Sequence, residues 1–404
     1  MPSTPPEGEP APADGSLPST ALEPSDRDLG IYLHVPFCAS RCGYCDFNTY
    51  TADELGSGAS RQDYVTAALS EIDLAAKVLA PVSRPVSTVF VGGGTPTLLH
   101  PDDLGRLLDA LRAAFGLAAG AEVTVEANPE SVSAESLKAL RDKGFSRISF
   151  GMQSASPTVL QVLDRRHTPG RPLEAVAEAR AAGFDSVTLD LIYGTPGESL
   201  EDWRRTVESA LSAEPDHLSA YALIVEDGTR LAANVRRGVV PAPDDDDLAD
   251  KYLLADEVLS AAGLSWYEVS NWARPGHACR HNLAYWRGEN WWGIGPGAHS
   301  HVGGVRWWNV RHPATYARRL AEGVSPAQAR EVLSPDDQHV ERVLLQLRLA
   351  EGLPVDELTR DEAVAVPRLV ASGLLDEPAI ADRRLCLTQQ GRLLADGVIR
   401  ELLS

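Results

Sequence analysis

From Gly30 onward the chain alternates short β-branched apolar runs with longer amphipathic stretches of helical period. The runs predict strands at 30–35, 86–91, 122–127, 146–151, 185–192 and 217–224. The amphipathic stretches predict helices near 61–80, 101–115, 133–143, 171–182, 199–212 and 245–262. Six strand–helix units in succession predict an α/β fold on a parallel sheet, open or curled into part of a barrel. The polar and glycine-rich clusters follow a rule within this pattern. Cys38, Cys42 and Cys45 follow the first strand, and Gly92, Gly93, Gly94, Thr95 and Pro96 follow the second. Glu126 and Asn128 end the third, Gln153 and Ser154 follow the fourth, and Asp190 with the turn 193–197 closes the fifth. The C-terminal rim is where barrels of such units build their sites. These segments are therefore expected to converge on one cavity.

The flanks read differently. Residues 2–29 are rich in Pro, Glu, Ala and Ser and are expected to be disordered. The core is expected to span 30–264. Residues 265–333 form an extension with seven of the eight tryptophans between 266 and 308. Ser334 opens an S-P-D-D helix start. The tail 334–404 predicts helices followed by a small hairpin (Gly373–Asp376 with Leu385–Thr388), a winged-helix-like module. The run Asp244–Asp247 reads as a solvated helix start.

Composition narrows the function classes. The net charge of −20 argues against broad binding of nucleic acid or anionic membrane. No apolar run reaches the ~18 residues of a membrane span, and the N-terminus lacks the pattern of a secretory signal. Five cysteines, odd in number and clustered, suggest a reducing cytoplasm and a metal or redox site instead of disulfides. Three of them lie within eight positions as C-x3-C-x2-C, in a loop favoured by Pro36 and Gly43. Three thiolates can hold three irons of a four-iron cluster and leave the fourth open. A zinc site completed by His34 is the alternative that the spacing leaves open.

The segment Tyr32-x-His34-x-Pro36-Phe37-Cys38-x3-Cys42-x-Tyr44-Cys45 resembles the radical S-adenosylmethionine superfamily, more narrowly its oxygen-independent coproporphyrinogen III oxidase-like branch. GGGTPT (92–97), Glu126-x-Asn128-Pro129, Gly151–Ser154, Arg165-x-His167, DLIYGTPG (190–197), Tyr221–Thr229 and GIGPGAHS (293–300) extend the match over all but the tail. The resemblance implies a partial (β/α)6 barrel with a [4Fe-4S] cluster on Cys38, Cys42 and Cys45. It implies that the open iron binds S-adenosylmethionine, whose one-electron cleavage gives a 5′-deoxyadenosyl radical. Gly92 to Pro96 would then meet the methionine amino group. Glu126 would bind ribose hydroxyls, Arg165 would offer its fork to the methionine carboxylate, and Gln153 and Asp190 would line the same pocket. Tyr32 and Tyr44 would pack near the cofactor, although core packing is the ordinary role of such aromatics.

The segment His281-Asn282-Leu283-Ala284-Tyr285-Trp286 resembles a motif of the haem chaperones in this branch. His281 is the better candidate for a haem ligand and His299 the weaker, against the alternative of a tryptophan-rich wall with satisfied histidines. Two functions of different class follow. One is a cytoplasmic haem chaperone that delivers haem to acceptor proteins, with a homodimer expected for its cluster-bound form. The other is a coproporphyrinogen III dehydrogenase. The dehydrogenases resemble C-x3-C-x2-C-x-C, and this chain has Phe47 where their fourth cysteine would stand. A phenyl ring can neither ligate metal nor transfer hydrogen, which favours the chaperone. A radical enzyme with another substrate is the remaining alternative.

Overall fold

A computed structural model of the chain describes residues 7–55, 60–82, 84–165 and 168–404. Thirteen strands form one sheet: β1 Glu9–Pro10, β2 Leu29–Val35, β3 Val86–Gly93, β4 Leu117–Ala127, β5 Arg147–Gln153, β6 Ser186–Tyr193, β7 His217–Ala222, β8 Ser265–Glu268, β9 Asn271–Ala273, β10 Asn290–Ile294, β11 His299–Val302, β12 Val305–Asn309 and β13 Ala327–Val332. Their order is β1-β13-β12-β11-β10-β2-β3-β4-β5-β6-β7-β9-β8. Strands β2 to β7 pair in parallel in sequence order, as the alternating pattern predicts. The intervening helices fall within about two residues of their expected limits. Those starting after Ser60, Ser133 and Ser199 each carry a reciprocal cap, in which the serine hydroxyl accepts the third N–H of the helix.

The parallel strands are apolar on their outer face. Val89, Val91, Val123, Val125, Ile148, Phe150, Val187, Leu189, Leu218 and Ala220 are all buried against the helices. Period-2 alternation sends the intervening residues of each strand to the opposite, concave face. That face holds Thr124, Arg147, Ser149, Thr188, Asp190, His217 and Ser219 around a cavity of about 580 Å³. The lumen is therefore lined with polar groups, while the hydrophobic layer lies between sheet and helices.

The extension 265–333 joins the barrel sheet at both edges. β10 pairs in parallel with β2, and β9 pairs antiparallel with β7. Glu71 ties this side together from the helix Arg61–Leu79. Its carboxylate accepts Gly295 N–H (2.8 Å), Asn309 Nδ2 (2.8 Å) and the Tyr316 hydroxyl. Beyond Ser334, which caps its helix through Asp337, the chain packs a second apolar cluster around Val343, Leu347, Leu353, Leu369 and Leu385. Arg392 anchors that cluster to the barrel by pairing with Asp256 at 3.0 Å and stacking 4.4 Å over the Trp266 ring.

Two expectations need correction. Residues 7–29 pack onto the rest of the fold. β1 pairs with β13, Arg330 meets Glu9 at 2.6 Å, and Ala21 is buried beneath Gly303. Proline and acidic residues leave little apolar surface for an independent fold, yet the free edge of β13 supplies hydrogen-bond partners that the composition cannot reveal. The C-terminal hairpin reduces to one bridge, Leu375 to Leu387. Asp376 caps a short helix, Glu377–Ala381, inside the expected turn, and Arg384–Leu385 pairs with Leu353–Pro354 instead.

Candidate functional site

The cysteine loop is built onto the end of β2. Cys38 N–H donates to Tyr50 O (3.0 Å) and Tyr50 N–H to Pro36 O (2.7 Å), which closes the loop on itself. Gly94 lets it lie against β3. A side chain there would meet Phe37 O at 2.5 Å and Cys38 Sγ at 3.1 Å. Gly93 has φ +110°, and a Cβ would stand 2.7 Å from the His34 ring. All three thiols are partly exposed and line the cavity mouth together with Tyr44 and Phe47. Burial raises the Cys38 pKa and pushes that of Cys45 up to about 11.

The zinc alternative required His34. That ring is buried, its Nδ1 meets the Tyr32 hydroxyl at 3.0 Å, and its Nε2 meets Asn48 O at 2.9 Å. It holds the loop instead of facing the thiols. Among the described residues no three His, Cys, Asp or Glu side chains are close enough to hold one metal ion. A single zinc needs its sulfurs about 2.3 Å from one point, whereas a cluster gives each thiolate its own iron. The donor set fits a cluster better.

The rim motifs converge as expected. Gly93, Gly94, Thr95, Glu126, Gln153, Arg165 and Asp190 line the same cavity as the thiols. Arg165 donates to Cys42 Sγ (3.3 Å) and to Gly151 O (3.2 Å), so its fork stands beside the loop. Glu126 accepts Gly93 N–H at 3.1 Å. Enclosure, and then the neighbouring charge of Asp190, push its carboxyl up to about 8. Gln153 is a non-glycine residue at φ +67°, placed where the β5–β6 register shifts. A side chain held in this sparsely populated conformation at a cavity wall is re-aimed by the bulge. Gly92 and Pro96 support the turn without lining the cavity, and Tyr32 lies behind it. His167 of the Arg165-x-His167 motif lies outside the described residues.

Neither haem-ligand candidate faces the cavity. His281 is 1% exposed, with Nδ1 on Thr88 Oγ1 (2.8 Å), Nε2 on the Tyr285 hydroxyl (2.9 Å) and its ring stacked 5.3 Å from Phe90. Burial drops its pKa to about 3, so it is neutral. An axial ligand needs a nitrogen free to face iron, and both are spent. As placed, His281 packs the wall behind β3. His299 is half-buried on β11, stacked on Trp308. The residues of this segment that do reach the cavity are Cys279 and Asn282.

The residues that sequence reasoning missed are the polar ones inside the strands: Thr124, Arg147, Ser149, Thr188, His217 and Ser219. A signal for them exists. Strands of a parallel sheet buried on both faces read as continuous apolar runs. Polar residues alternating along four successive strands therefore mark a wet lumen.

Comparison with known proteins agrees with this geometry. The profile of the Radical SAM superfamily matches residues 32–210. The chain is 54% identical to the heme chaperone HemW of Mycobacterium tuberculosis, over 96% of this chain and 97% of that one. It is 36% identical to the heme chaperone HemW of Escherichia coli, over 93% and 98%. Among solved structures, coproporphyrinogen III oxidase (HemN) from Escherichia coli, described as a radical SAM enzyme, superposes with a TM-score of 0.79 at 25% identity, covering 95% of this chain and 92% of that one. The chain belongs to the radical SAM superfamily, in the coproporphyrinogen III oxidase-like branch that also holds these HemW relatives.

Proposed function

We propose that this protein is a haem chaperone that carries a [4Fe-4S] cluster and S-adenosylmethionine and passes haem to acceptor haem proteins. Cys38, Cys42 and Cys45 hold the cluster at the mouth of the cavity. Arg165 takes the methionine carboxylate with its fork, the backbone of the Gly92–Pro96 turn receives the amino group, and Glu126, Gln153 and Asp190 hold the nucleoside. Bound together, cluster and S-adenosylmethionine supply one-electron chemistry. The protein positions them and keeps the lumen enclosed.

The observation that carries the choice of chaperone over dehydrogenase is Phe47. It stands two residues after Cys45 on the cavity lip, 47% exposed. The dehydrogenase pattern needs a thiol there, and this ring can supply neither a ligand nor a hydrogen atom. The HemW relatives, alike over nearly the whole chain, support the same reading.

Anaerobic assay of reconstituted protein with coproporphyrinogen III, S-adenosylmethionine and a reductant tests it. No protoporphyrinogen should form. Added haem should give a Soret band that passes to an apo-acceptor protein. Protoporphyrinogen formation would overturn the assignment in favour of the dehydrogenase.

A further inference from the structure

Below the rim motifs the lumen carries a second tier of polar residues. The register Thr124↔Arg147, Arg147↔Ser186 and Thr188↔His217 sets Thr124 beside Arg147, the first residue of β5, and Thr188 beside His217, the first residue of β7. All four line the cavity and are 3% exposed or less.

Arg147 is the unusual member. It donates to Ser186 Oγ (3.0 Å), His277 O (2.8 Å) and Thr188 Oγ1 (2.9 Å), all neutral acceptors. Among the described residues no carboxylate lies within ion-pair distance of it. Asp190 is held by Ser149 (2.8 Å) one tier higher, and Glu122 is spent on the N–H groups of Arg280 and His281. Asp190 acts on Arg147 only from a distance, and a buried cation that no carboxylate touches is costly unless something completes it.

Two neighbours are also incomplete. Thr124 Oγ1 and His217 Nδ1 are buried without a hydrogen-bond partner. The Tyr267 hydroxyl accepts Cys279 N–H at 3.2 Å and meets His217 Nε2 at 2.8 Å. In the tautomer where the tyrosine hydroxyl donates its hydrogen bond to Nε2, Nδ1 carries the ring proton and is a donor. One cation and two unpartnered groups able to donate thus share one tier of the cavity, and buried polar atoms are rarely left unsatisfied.

We propose that this tier is a carboxylate-binding subsite, in which Arg147, His217 Nδ1–H and the Thr124 hydroxyl receive the alkyl carboxylate of a ligand whose body lies higher in the cavity. The subsite itself stands on the geometry. That the carboxylate is a tetrapyrrole propionate rests on the haem reading above.

The test titrates reconstituted full-length protein with coproporphyrin III, its tetramethyl ester and sodium propionate, by fluorescence quenching and by thermal shift. Thr124→Val should leave the ligand-free melting temperature equal or higher, because it removes a buried orphan hydroxyl. It should still weaken coproporphyrin III binding severalfold. Arg147→Gln should weaken it about tenfold or more, the size expected for a charged hydrogen bond. The ester, lacking the anion, should bind all variants alike. Coproporphyrin III binding that neither variant alters would overturn the subsite and leave the haem reading standing. A propionate-induced thermal shift lost in Thr124→Val, with no porphyrin bound, would keep the subsite and sink its tetrapyrrole assignment. No response to any carboxylate probe would overturn the subsite.

Discussion

At the residue scale, the sequence motifs divide into those whose side chains reach the cavity and those that hold it in shape. Arg165, Glu126, Gln153 and Asp190 do the first. His34, Tyr32 and His281 do the second, although the same motifs carry them. His34 and His281 have both ring nitrogens bonded inside the wall, at 2.8–3.0 Å. His281→Ala should therefore act on stability. Losing two buried hydrogen bonds and a stacked ring costs about 2–4 kcal/mol, read as a lower melting temperature with the haem Soret band retained at permissive temperature. A Soret band lost from a variant of unchanged melting temperature would restore His281 as a ligand. A histidine in a motif shows that the imidazole is needed; only its two neighbours show whether it is needed as ligand or as strut.

At the scale of elements, the site depends on how closely the cysteine loop rides on the β3 turn. Gly94 sets that distance, since a Cβ would stand 2.5 Å from Phe37 O. Gly94→Ala should push the loop and Cys38 off the strand end. Anaerobic reconstitution should then give well below the roughly four irons per chain of the parent, with far-ultraviolet circular dichroism unchanged. Iron content equal to the parent's would show that the loop can move without losing its ligand geometry. The strands and helices of the parallel core were legible because each is determined by local periodicity and caps. The C-terminal hairpin was legible only in part, since Leu375 meets Leu387 as expected, with Asp376 N–H on Cys386 O (2.9 Å) and Thr388 N–H on Leu374 O (3.1 Å). A two-residue strand carries too little pattern to name its partner, and Arg384–Leu385 was free to choose Leu353–Pro354 across the cluster.

At the scale of the whole molecule, buried carboxyls couple the fold to pH. Burial pushes Glu71 up to about 7 and Glu268 up to about 8. Each folded value lies above the unfolded one, so the unfolded chain gives up its proton first as pH rises. The stability contributed by the protonated forms is whole below about pH 4.5 and is lost as pH climbs through 7 to 8. Buried neutral His34, His281, His299 and His301, with pKa values lowered to about 3–4, give the opposite slope below about pH 6.5. The melting temperature should therefore fall between pH 6.5 and 8, by on the order of a few °C, and Glu71→Gln should flatten part of that slope. A melting temperature that rises over this range would show other groups in control. Glu71 also bonds Gly295, Asn309 and Tyr316, so the same carboxyl clamps the extension to the barrel. No helix among the described residues is long and apolar enough to cross a membrane. The sequence by itself determined the parallel core, the rim on which the motifs gather, the thiol triad and the missing thiol at Phe47, because period, spacing and residue type are local properties. Only the tertiary structure decided that His34 faces away from the thiols, that His281 is walled in, that Glu9–Pro10 pairs with an edge strand, and that Arg147 stands in the lumen with no carboxylate in contact. Each of these depends on which groups from distant segments meet, and burial, not spacing, sets what such a meeting costs.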